Sequence, residues 1–241
     1  MKAMIFAAGL GTRLRPLTND KPKALAEING IPILEILIER LKRFGFDDII
    51  INVHHFADRI AAFLMKKNNF NIKITISDET EMLLDTGGGL KKARSLLDKK
   101  ESFLLHNVDI LSNIDLEHLY NTHNKSDALV TLAVCNKVSD RSLLFDDNNI
   151  LCAWKNSLTN QLKISRESDI LKPLAFAGIH VINPRIFGLI KEEGVFSIID
   201  LYLELAKREL IRAYNIDTAV WMDVGDMDSL KKAVLIVDKI S

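Results

Sequence analysis

A turn with two glycines, followed by several cations, lies close to the start of the chain. Residues 2–8 form a short apolar run typical of a buried strand, and Gly9 and Gly11 follow it directly. Glycines let the backbone approach a ligand closely, and N–H groups exposed in such a turn can bind phosphate. Arg13 and Lys23 lie in the same loop, where a guanidinium can grip two phosphate oxygens and an ammonium acts as a movable charge. The pattern favours a phosphate site, although a solvated basic loop would contain the same residues.

Two familiar phosphate-binding motifs are absent from this segment. A dinucleotide-binding fingerprint requires a third glycine at position 14, which is Leu14 here, and a helix that begins at once. A P-loop requires Gly-Lys followed by Ser or Thr, and the loop has no such triplet. The sequence therefore argues against a nicotinamide-dependent dehydrogenase.

Two aspartates end apolar segments that are far apart in the chain. Asp109 follows the strand-like run 103–108, and Asp223 lies at the end of the run 219–224. The carboxyl ends of parallel strands face the ligand crevice, and Mg²⁺ prefers a few carboxylates together with substrate oxygens. An aspartate at a strand end is also a common turn or helix cap, so the residues alone leave both readings open.

The spacing in the first loop resembles the signature of the sugar-1-phosphate nucleotidyltransferases, also called nucleoside diphosphate-sugar pyrophosphorylases. The matching positions are Gly9, Gly11, Thr12, Arg13, Pro16, Thr18, Lys21, Pro22 and Lys23. The resemblance implies that Arg13 grips the β- and γ-phosphates of a nucleoside triphosphate and that Lys23 contacts the α-phosphate and the incoming sugar phosphate. It also implies a nucleotide-binding role for Ala8, Gly9, Gly11 and Thr12.

The same resemblance covers the two aspartates. Asn107-Val108-Asp109 and the segment 221–225 are similar to the two metal-binding motifs of the family. The implied roles are Mg²⁺ ligation by Asp109 and Asp223, with Asn107 beside the sugar phosphate. Val108 departs from the pattern, because many members have glycine there.

Base and sugar recognition are implied at three further places. By resemblance, Thr86 and Gly87 contact the base or ribose, and Glu81 is a candidate reader of the base because a carboxylate accepts hydrogen bonds. Gly178 would let the sugar pack against a strand. Lys155 is the preferred ligand of the sugar phosphate, with Lys172 as the alternative.

The elements that must position these residues alternate between strands and helices. Apolar runs at 2–8, 48–53 and 103–108 are separated by stretches with helical spacing, such as 33–41 and 57–67. This alternation predicts an α/β fold. Together with the resemblance it implies a Rossmann-like nucleotidyltransferase fold, with a mixed, mostly parallel central sheet flanked by helices. We expect one domain over residues 1–241, without the C-terminal β-helix domain of larger relatives.

Composition limits the partners of the protein. Lys+Arg and Asp+Glu both number 32, so there is no basic excess of the kind that nucleic-acid binders show. No apolar run approaches the length of a membrane span, and the two cysteines have no metal-binding spacing. Composition therefore leads us to expect a cytoplasmic protein that binds neither nucleic acid nor membrane. The family resemblance implies Mg²⁺ as cofactor and a nucleoside triphosphate and a sugar 1-phosphate as substrates, and we expect a monomer or small homo-oligomer.

The resemblance leaves the substrates open. Within the family, the segment 79–89 is similar to mannose-1-phosphate guanylyltransferases and to N-acetylmuramate-1-phosphate uridylyltransferases. A phosphocholine-type cytidylyltransferase and a non-catalytic regulatory protein that binds nucleotide sugars are the alternatives.

Overall fold

A computed structural model describes residues 1–97 and 101–240. The strands in chain order are β1 (Lys2–Phe6), β2 (Glu27–Ile28), β3 (Ile31–Pro32), β4 (Asp48–Val53), β5 (Lys73–Asp78), β6 (Phe103–Asn107), β7 (Ile110–Ser112), β8 (Val130–Cys135), β9 (Arg141–Phe145), β10 (Leu151–Asn156), β11 (Gln161–Ile164), β12 (Lys172–Ile182), β13 (Ile211–Asn215) and β14 (Trp221–Asp223). The α-helices are α1 (Ile33–Arg43), α2 (Ala57–Lys66), α3 (Asp85–Lys92), α4 (Arg94–Leu97), α5 (Leu116–Asn124), α6 (Ile198–Ala206), α7 (Met227–Ala233) and α8 (Val237–Ile240). Short 3₁₀ helices cover Thr12–Leu14, Lys23–Leu25, Asn68–Asn71 and Pro184–Gly188.

The chain divides into two compact units. The first comprises Met1–Leu83, Leu105–Glu117 and Ala219–Ser241, and the second comprises Leu84–Leu104 and His118–Thr218. The prediction of one domain over residues 1–241 stays a prediction. In the part of the chain that the structure describes, no helix has both the length and the apolar character needed to cross a membrane.

Parallel pairing dominates the first unit. β1 pairs with β4 and β4 pairs with β5, both in parallel. Parallel strands are covered on both faces, so they read as continuous apolar runs rather than as an alternation. β4 shows this directly, since Ile49, Ile50, Ile51 and Val53 are all buried. Helix α1 adds its apolar face to this core, with Leu34, Leu37 and Leu41 among its buried side chains. These buried residues recur at the helical spacing that is visible in the sequence.

The second unit combines antiparallel and parallel pairs. β12 pairs antiparallel with β8 and with β9, β10 lies antiparallel between β9 and β11, and β13 pairs parallel with β8. The expected mixed α/β architecture, with a mostly parallel central sheet flanked by helices, is confirmed.

Two segments differ from the sequence-based expectation. The polar sequence from Gly9 to about Pro32 predicts one long loop, but β2 and β3 make a hairpin there. Its turn residues Asn29 and Gly30 both have positive φ, which is the combination that a tight two-residue hairpin requires. The apolar pattern after the three glycines predicts a helix from Leu90, whereas α3 already begins at Asp85 and includes the glycines.

Candidate active site

The loop after β1 folds back onto Lys23, and Gly11 makes this possible. Gly11 has a φ of 63°, in the left-handed region, and its carbonyl oxygen accepts a 2.8 Å hydrogen bond from the Thr18 hydroxyl. A Cβ at Gly11 would lie 3.1 Å from the Lys23 Cβ and 3.2 Å from the Thr18 Cγ2. A larger residue would therefore be strained both by its backbone and by its neighbours.

The two cations of this loop differ in burial. Lys23 begins a short 3₁₀ helix and is only 8% exposed, and its ammonium forms an ion pair with the Asp109 carboxylate. Arg13 lies in the 3₁₀ helix Thr12–Leu14 and is exposed. Ala8 is buried and Gly9 and Thr12 are exposed in the same loop. Because a buried ammonium without a partner is costly, the ion pair with Asp109 is what allows Lys23 to lie inside the protein.

The two predicted metal ligands meet through a short antiparallel pair. β7 begins directly after Asp109, and its register with β14 places Asp223 opposite Ile110. The Val224 N–H donates a 2.8 Å hydrogen bond to the Asp109 carbonyl oxygen. Val108 is buried, and its N–H donates to the Phe6 carbonyl oxygen at 3.1 Å, which ties the end of β6 to the end of β1. These backbone hydrogen bonds hold Asp109 and Asp223 close together, beside the carboxyl ends of β1 and β6.

Gly225 marks the point where Arg13 and Asp223 come together. A Cβ at Gly225 would meet the Arg13 Nη2 at 2.8 Å and the Asp223 Oδ1 at 3.0 Å. Both charged groups therefore lie against this glycine, and any larger residue would displace them. Gly225 ends the segment whose resemblance to a metal-binding motif was noted from the sequence.

The four charged groups influence one another. Burial raises the pKa of the Asp223 carboxyl, and the neighbouring Asp109 raises it further, while Lys23 and Arg13 oppose both effects. Two carboxylates that share one site repel each other in their charged forms, so an added cation would relieve the repulsion. The four residues predicted from the sequence as the catalytic and metal-binding set thus lie in one place in the first unit.

A divalent ion fits this donor set if a ligand completes it. Mg²⁺ is commonly held by one or two carboxylates together with phosphate oxygens and water. Within residues 1–97 and 101–240, no group of three or more His, Cys, Asp or Glu side chains is placed to hold a metal ion. Asp109 and Asp223 would therefore bind Mg²⁺ jointly with substrate oxygens rather than as a preformed cage.

The residues predicted to read the base belong to both units of the chain. Glu81 is exposed in the first unit. Thr86 and Gly87 lie in α3 of the second unit, where the Thr86 hydroxyl accepts from the Ile198 N–H at 3.0 Å and the Gly87 N–H donates to the Phe196 carbonyl oxygen at 2.9 Å. The Gly87 N–H is therefore bonded within its own unit rather than presented to a ligand. The nucleotide-binding assignments of the three residues stay predictions.

The residues predicted to bind the sugar phosphate also fall in different places. Gly178 has a φ of 73° within β12, where the register with β8 shifts between Phe176 and His180, so it forms a bulge. Lys155 is exposed on β10, and Lys172 is bound to Asp147 at 2.7 Å. Asn107, at the end of β6 in the first unit, is half-buried. None of these placements tests the assigned roles, which stay predictions.

A cleft of about 570 Å³ lies within the second unit. Its floor is formed by β9, β10 and β11, and α6 supplies one wall. Trp154 and Phe176 contribute aromatic surface and Arg141 and Lys163 contribute cations. Side chains alternate between the two faces of a strand, so Trp154 lies in the cleft while its neighbour Lys155 points to the opposite face of β10. Lys163 is a cation of this cleft that sequence reasoning missed.

Comparison with known proteins gives the family. The sequence profile of the family described as nucleotidyl transferase matches residues 2–142. This chain belongs to the nucleotidyl transferase family. The resemblance to sugar-1-phosphate nucleotidyltransferases that the motifs indicated is thereby confirmed.

Two curated relatives and one solved structure illustrate the range of this nucleotidyltransferase family. The chain is 32% identical over 234 residues to an N-acetylmuramate alpha-1-phosphate uridylyltransferase from Caulobacter vibrioides, covering 93% of this chain and 91% of that protein. It is 29% identical over 244 residues to a mannose-1-phosphate guanyltransferase from Yarrowia lipolytica, covering 100% of this chain but only 65% of that protein. The inositol-1-phosphate CTP transferase from T. maritima has the same fold, with a TM-score of 0.78 at 15% identity over 99% of this chain and 95% of that one.

A buried polar pair supports the start of the loop after β1 in this nucleotidyltransferase, and sequence reasoning missed it. The Asn52 side-chain oxygen accepts from the Ala7 N–H at 2.8 Å, and its amide nitrogen donates to the Glu79 carboxylate at 2.8 Å. Asn52 and Glu79 are 2% and 0% exposed. Because a carboxylate only accepts hydrogen bonds, Glu79 fixes which end of the Asn52 amide faces Ala7. A polar residue inside the apolar run of β4 was the available signal.

His106 is a second buried group that sequence reasoning did not single out. It is fully buried in β6, and its Nδ1 lies 2.7 Å from the Asn107 carbonyl oxygen. Burial lowers the pKa of His106 to about 4. The imidazole is therefore neutral near neutral pH, so it adds no charge beneath the aspartate that follows Val108.

Proposed function

We propose that this chain joins a nucleoside triphosphate to a sugar 1-phosphate, forms a nucleoside diphosphate-sugar and releases pyrophosphate in a Mg²⁺-dependent reaction. The observation that carries the proposal is the meeting of Arg13, Lys23, Asp109 and Asp223 in the first unit. A guanidinium, an ammonium and two carboxylates are the groups needed to hold a metal-bound triphosphate.

The proposed reaction is a direct displacement at phosphorus. An oxygen of the sugar 1-phosphate attacks the α-phosphorus of the triphosphate, a new P–O bond forms, the bond to the β-phosphate bridging oxygen breaks, and pyrophosphate leaves. No covalent bond to the protein is required. Such a transfer depends mainly on orientation and on the neutralisation of charge.

Each charged residue has a role in this scheme. Arg13 binds the β- and γ-phosphate oxygens and stabilises the negative charge that pyrophosphate acquires as it leaves. Lys23 neutralises the α-phosphate and the incoming phosphate. Members of this family are generally metal-dependent, and Mg²⁺ held by Asp109 and Asp223 would neutralise and orient the triphosphate. Ala8, Gly9, Gly11 and Thr12 lie under the nucleotide in this proposal.

The relatives suggest two substrate pairs. One is UTP with N-acetylmuramate 1-phosphate, and the other is GTP with mannose 1-phosphate. In the first case the support is a relative whose length this chain almost fully spans, at 91%; in the second the chain spans 65% of the relative. We place the sugar in the cleft of the second unit, where aromatic surface and polar groups are combined. Lys155 does not line this cleft, so this placement of the sugar does not use Lys155 as the ligand of its phosphate. We also propose that the protein is cytoplasmic and that it is a monomer or a small homo-oligomer.

A substrate matrix tests the proposal. Each of the four ribonucleoside triphosphates is combined with several hexose 1-phosphates and with phosphocholine, and pyrophosphate release is measured with Mg²⁺ and with a chelator. We expect turnover with one pair that the chelator abolishes. Absence of pyrophosphate in every combination would refute the enzyme assignment.

Variants of the aspartates test the residues. Asp109→Asn and Asp223→Asn should each lower kcat by roughly a hundredfold or more, because a ligand of the charge-neutralising cation is lost. Asp58→Asn, an exposed aspartate on α2, serves as a control for the change of charge. Wild-type kcat in either site variant would remove the metal assignment.

A further inference from the structure

The register of the strands aligns the side chains on the floor of the second unit's cleft in two rows. Across the three strands, Arg141 of β9 lies opposite Asn156 of β10, which lies opposite Gln161 of β11. These three side chains line the cleft. Residues that face each other across strands on one face of a sheet are close neighbours. They form a polar row, here called the Arg141 row.

The second row contains two apolar side chains and one lysine. Leu143 lies opposite Trp154, and Trp154 lies opposite Lys163. The Lys163 ammonium is 5.3 Å from the centre of the Trp154 ring. Trp154 is half-buried, and Phe176 of β12 lines the same cleft. The floor therefore offers a flat apolar surface beside a polar edge, which matches a sugar ring with an apolar face and polar substituents.

The Arg141 row is rich in hydrogen-bond donors that the protein does not use. Within the described residues, the Arg141 guanidinium makes no hydrogen bond or ion pair. The Asn156 side-chain oxygen accepts from the Leu158 N–H at 3.0 Å and from the Thr159 N–H at 3.3 Å, so the amide NH₂ is the end left for a ligand. A guanidinium beside an amide NH₂ is suited to a carboxylate, which accepts hydrogen bonds on both oxygens.

The two carboxylates of the cleft do not cancel this preference. Asp200 is bound to the Lys163 ammonium at 2.5 Å. The Asp85 carboxylate accepts from the Thr86 N–H at 2.6 Å and from the Thr86 hydroxyl at 3.2 Å. Lys163 therefore neutralises Asp200, whereas Asp85 keeps its charge but forms no ion pair with Arg141 within the described residues. The cation available to a ligand is Arg141.

We propose that the cleft selects a sugar phosphate that carries a second anionic group, with the ring on Trp154 and a carboxylate substituent on the Arg141 row. Arg141 is then a specificity-determining residue. This inference rests on the proposed function, because it names the class of sugar that the same enzyme uses. It favours a carboxylate-bearing sugar over a neutral hexose as the acceptor.

A pair of sugars that differ in one group tests the inference. N-acetylmuramate 1-phosphate carries a lactyl ether with a carboxylate, whereas N-acetylglucosamine 1-phosphate has a hydroxyl in its place. Binding of each is measured by isothermal titration calorimetry, with and without a nucleotide, to the wild type and to Arg141→Gln, Arg141→Lys and Arg208→Gln. Arg208 is an exposed arginine of the same unit outside the cleft and controls for the loss of one charge.

The expected result is a carboxylate preference that depends on Arg141. The wild type and Arg208→Gln should bind the carboxylate-bearing sugar about tenfold or more tightly than its partner, as expected for one charge-assisted contact. Arg141→Gln should reduce the ratio to about one, and Arg141→Lys should give a value between them. Equal binding of both sugars to the wild type, or an unchanged ratio in Arg141→Gln, would overturn the inference.

The binding assay separates this inference from the proposed function. A carboxylate preference without pyrophosphate release in any combination would refute the nucleotidyl transfer and leave the cleft assignment standing. Pyrophosphate release with neutral and acidic sugars at equal kcat/KM, together with equal binding, would leave the reaction standing and refute the role of Arg141. Thermal unfolding of each variant shows that the comparison is made between folded proteins.

Discussion

Replacing Gly225 by alanine is a local test of the candidate active site. The new Cβ would point at two charged groups, at 2.8 Å from the Arg13 Nη2 and 3.0 Å from the Asp223 Oδ1. An ordinary contact begins near 3.4 Å. The guanidinium would therefore have to move by about 0.6 Å and the carboxylate oxygen by about 0.4 Å, given those two starting distances.

Displacements of this size should reduce catalysis more than stability. A shift of about 1 Å in a catalytic group can cost roughly a hundredfold in rate, so we expect kcat to fall by about ten- to a hundredfold in Gly225→Ala. The fold should tolerate the change, because the atoms that move are the flexible ends of side chains. The φ of Gly225 is not in the left-handed region, and alanine also lowers the entropy of the unfolded chain by about 0.4–1 kcal/mol.

The assay combines steady-state pyrophosphate release with thermal unfolding. Gly188→Ala is the matched control, because a Cβ at Gly188 would have no atom within 4 Å. We expect Gly188→Ala to keep the wild-type kcat, and both variants to keep their Tm within about 4 °C. A wild-type kcat in Gly225→Ala would refute the view that turnover depends on the placement of Arg13 and Asp223. A large fall in its Tm would refute the argument that the strain is absorbed by side-chain ends.

Three further predictions concern the support of the site and the core. Glu79→Leu should raise the KM for the nucleoside triphosphate by about tenfold, whereas Glu79→Gln should keep a KM near that of the wild type, because only glutamine keeps an acceptor for the Asn52 amide. Steady-state kinetics of both variants tests this prediction, and equal KM values would contradict it. Gly87→Ala should lower the free energy of unfolding by about 1–3 kcal/mol in urea titrations, since its Cβ would overlap the Phe196 ring; an unchanged midpoint would show that the ring moves away freely. Burial lowers the pKa of His123 to about 4. Between pH 6.5 and 4 the unfolded chain is therefore protonated at His123 while the folded chain is not, so the free energy of unfolding should decrease as the pH falls from about 6.5 towards 4. A His123→Gln variant should show a smaller acid-dependent loss in urea titrations at several pH values, and an identical pH profile would refute the assignment.

The sequence predicts an element well when the burial of that element alone determines its pattern of apolar residues. The expected strand 48–53 coincides with β4, because a parallel strand covered on both faces leaves an uninterrupted apolar run. The start of α3 was not predictable in this way. Glycines disfavour helices, but Phe196 and Gly194, more than a hundred residues later in the chain, occupy the space that a Cβ would need at Gly87 and Gly88 of α3. Such a reason is visible only in the folded chain.

The residues of the candidate site also fall into those that the sequence alone identifies and those that only the folded chain reveals. Arg13, Lys23 and the two aspartates could be named from short segments because each segment resembles a family motif. Asn52 and Arg141 were not named, because their roles depend on neighbours from other strands: Asn52 bridges Ala7 and Glu79, and Arg141 is aligned with Asn156 by register. A single sequence shows residue types but not register, so the supporting and specificity-determining residues were the ones missed.

The charges of the site also explain how it can exist before any ligand binds. Lys23 is 8% exposed and Asp109 is its partner, so each neutralises the other where water is scarce. In the proposed reaction both are required elsewhere, Lys23 by phosphate and Asp109 by a metal ion. Lys23 can leave Asp109 only when a phosphate replaces the carboxylate, and Asp109 can leave Lys23 only when another cation replaces the ammonium. Either exchange alone would leave a poorly solvated charge unpaired, which is costly. The two exchanges are therefore coupled, and the ion pair makes nucleotide and metal binding mutually dependent.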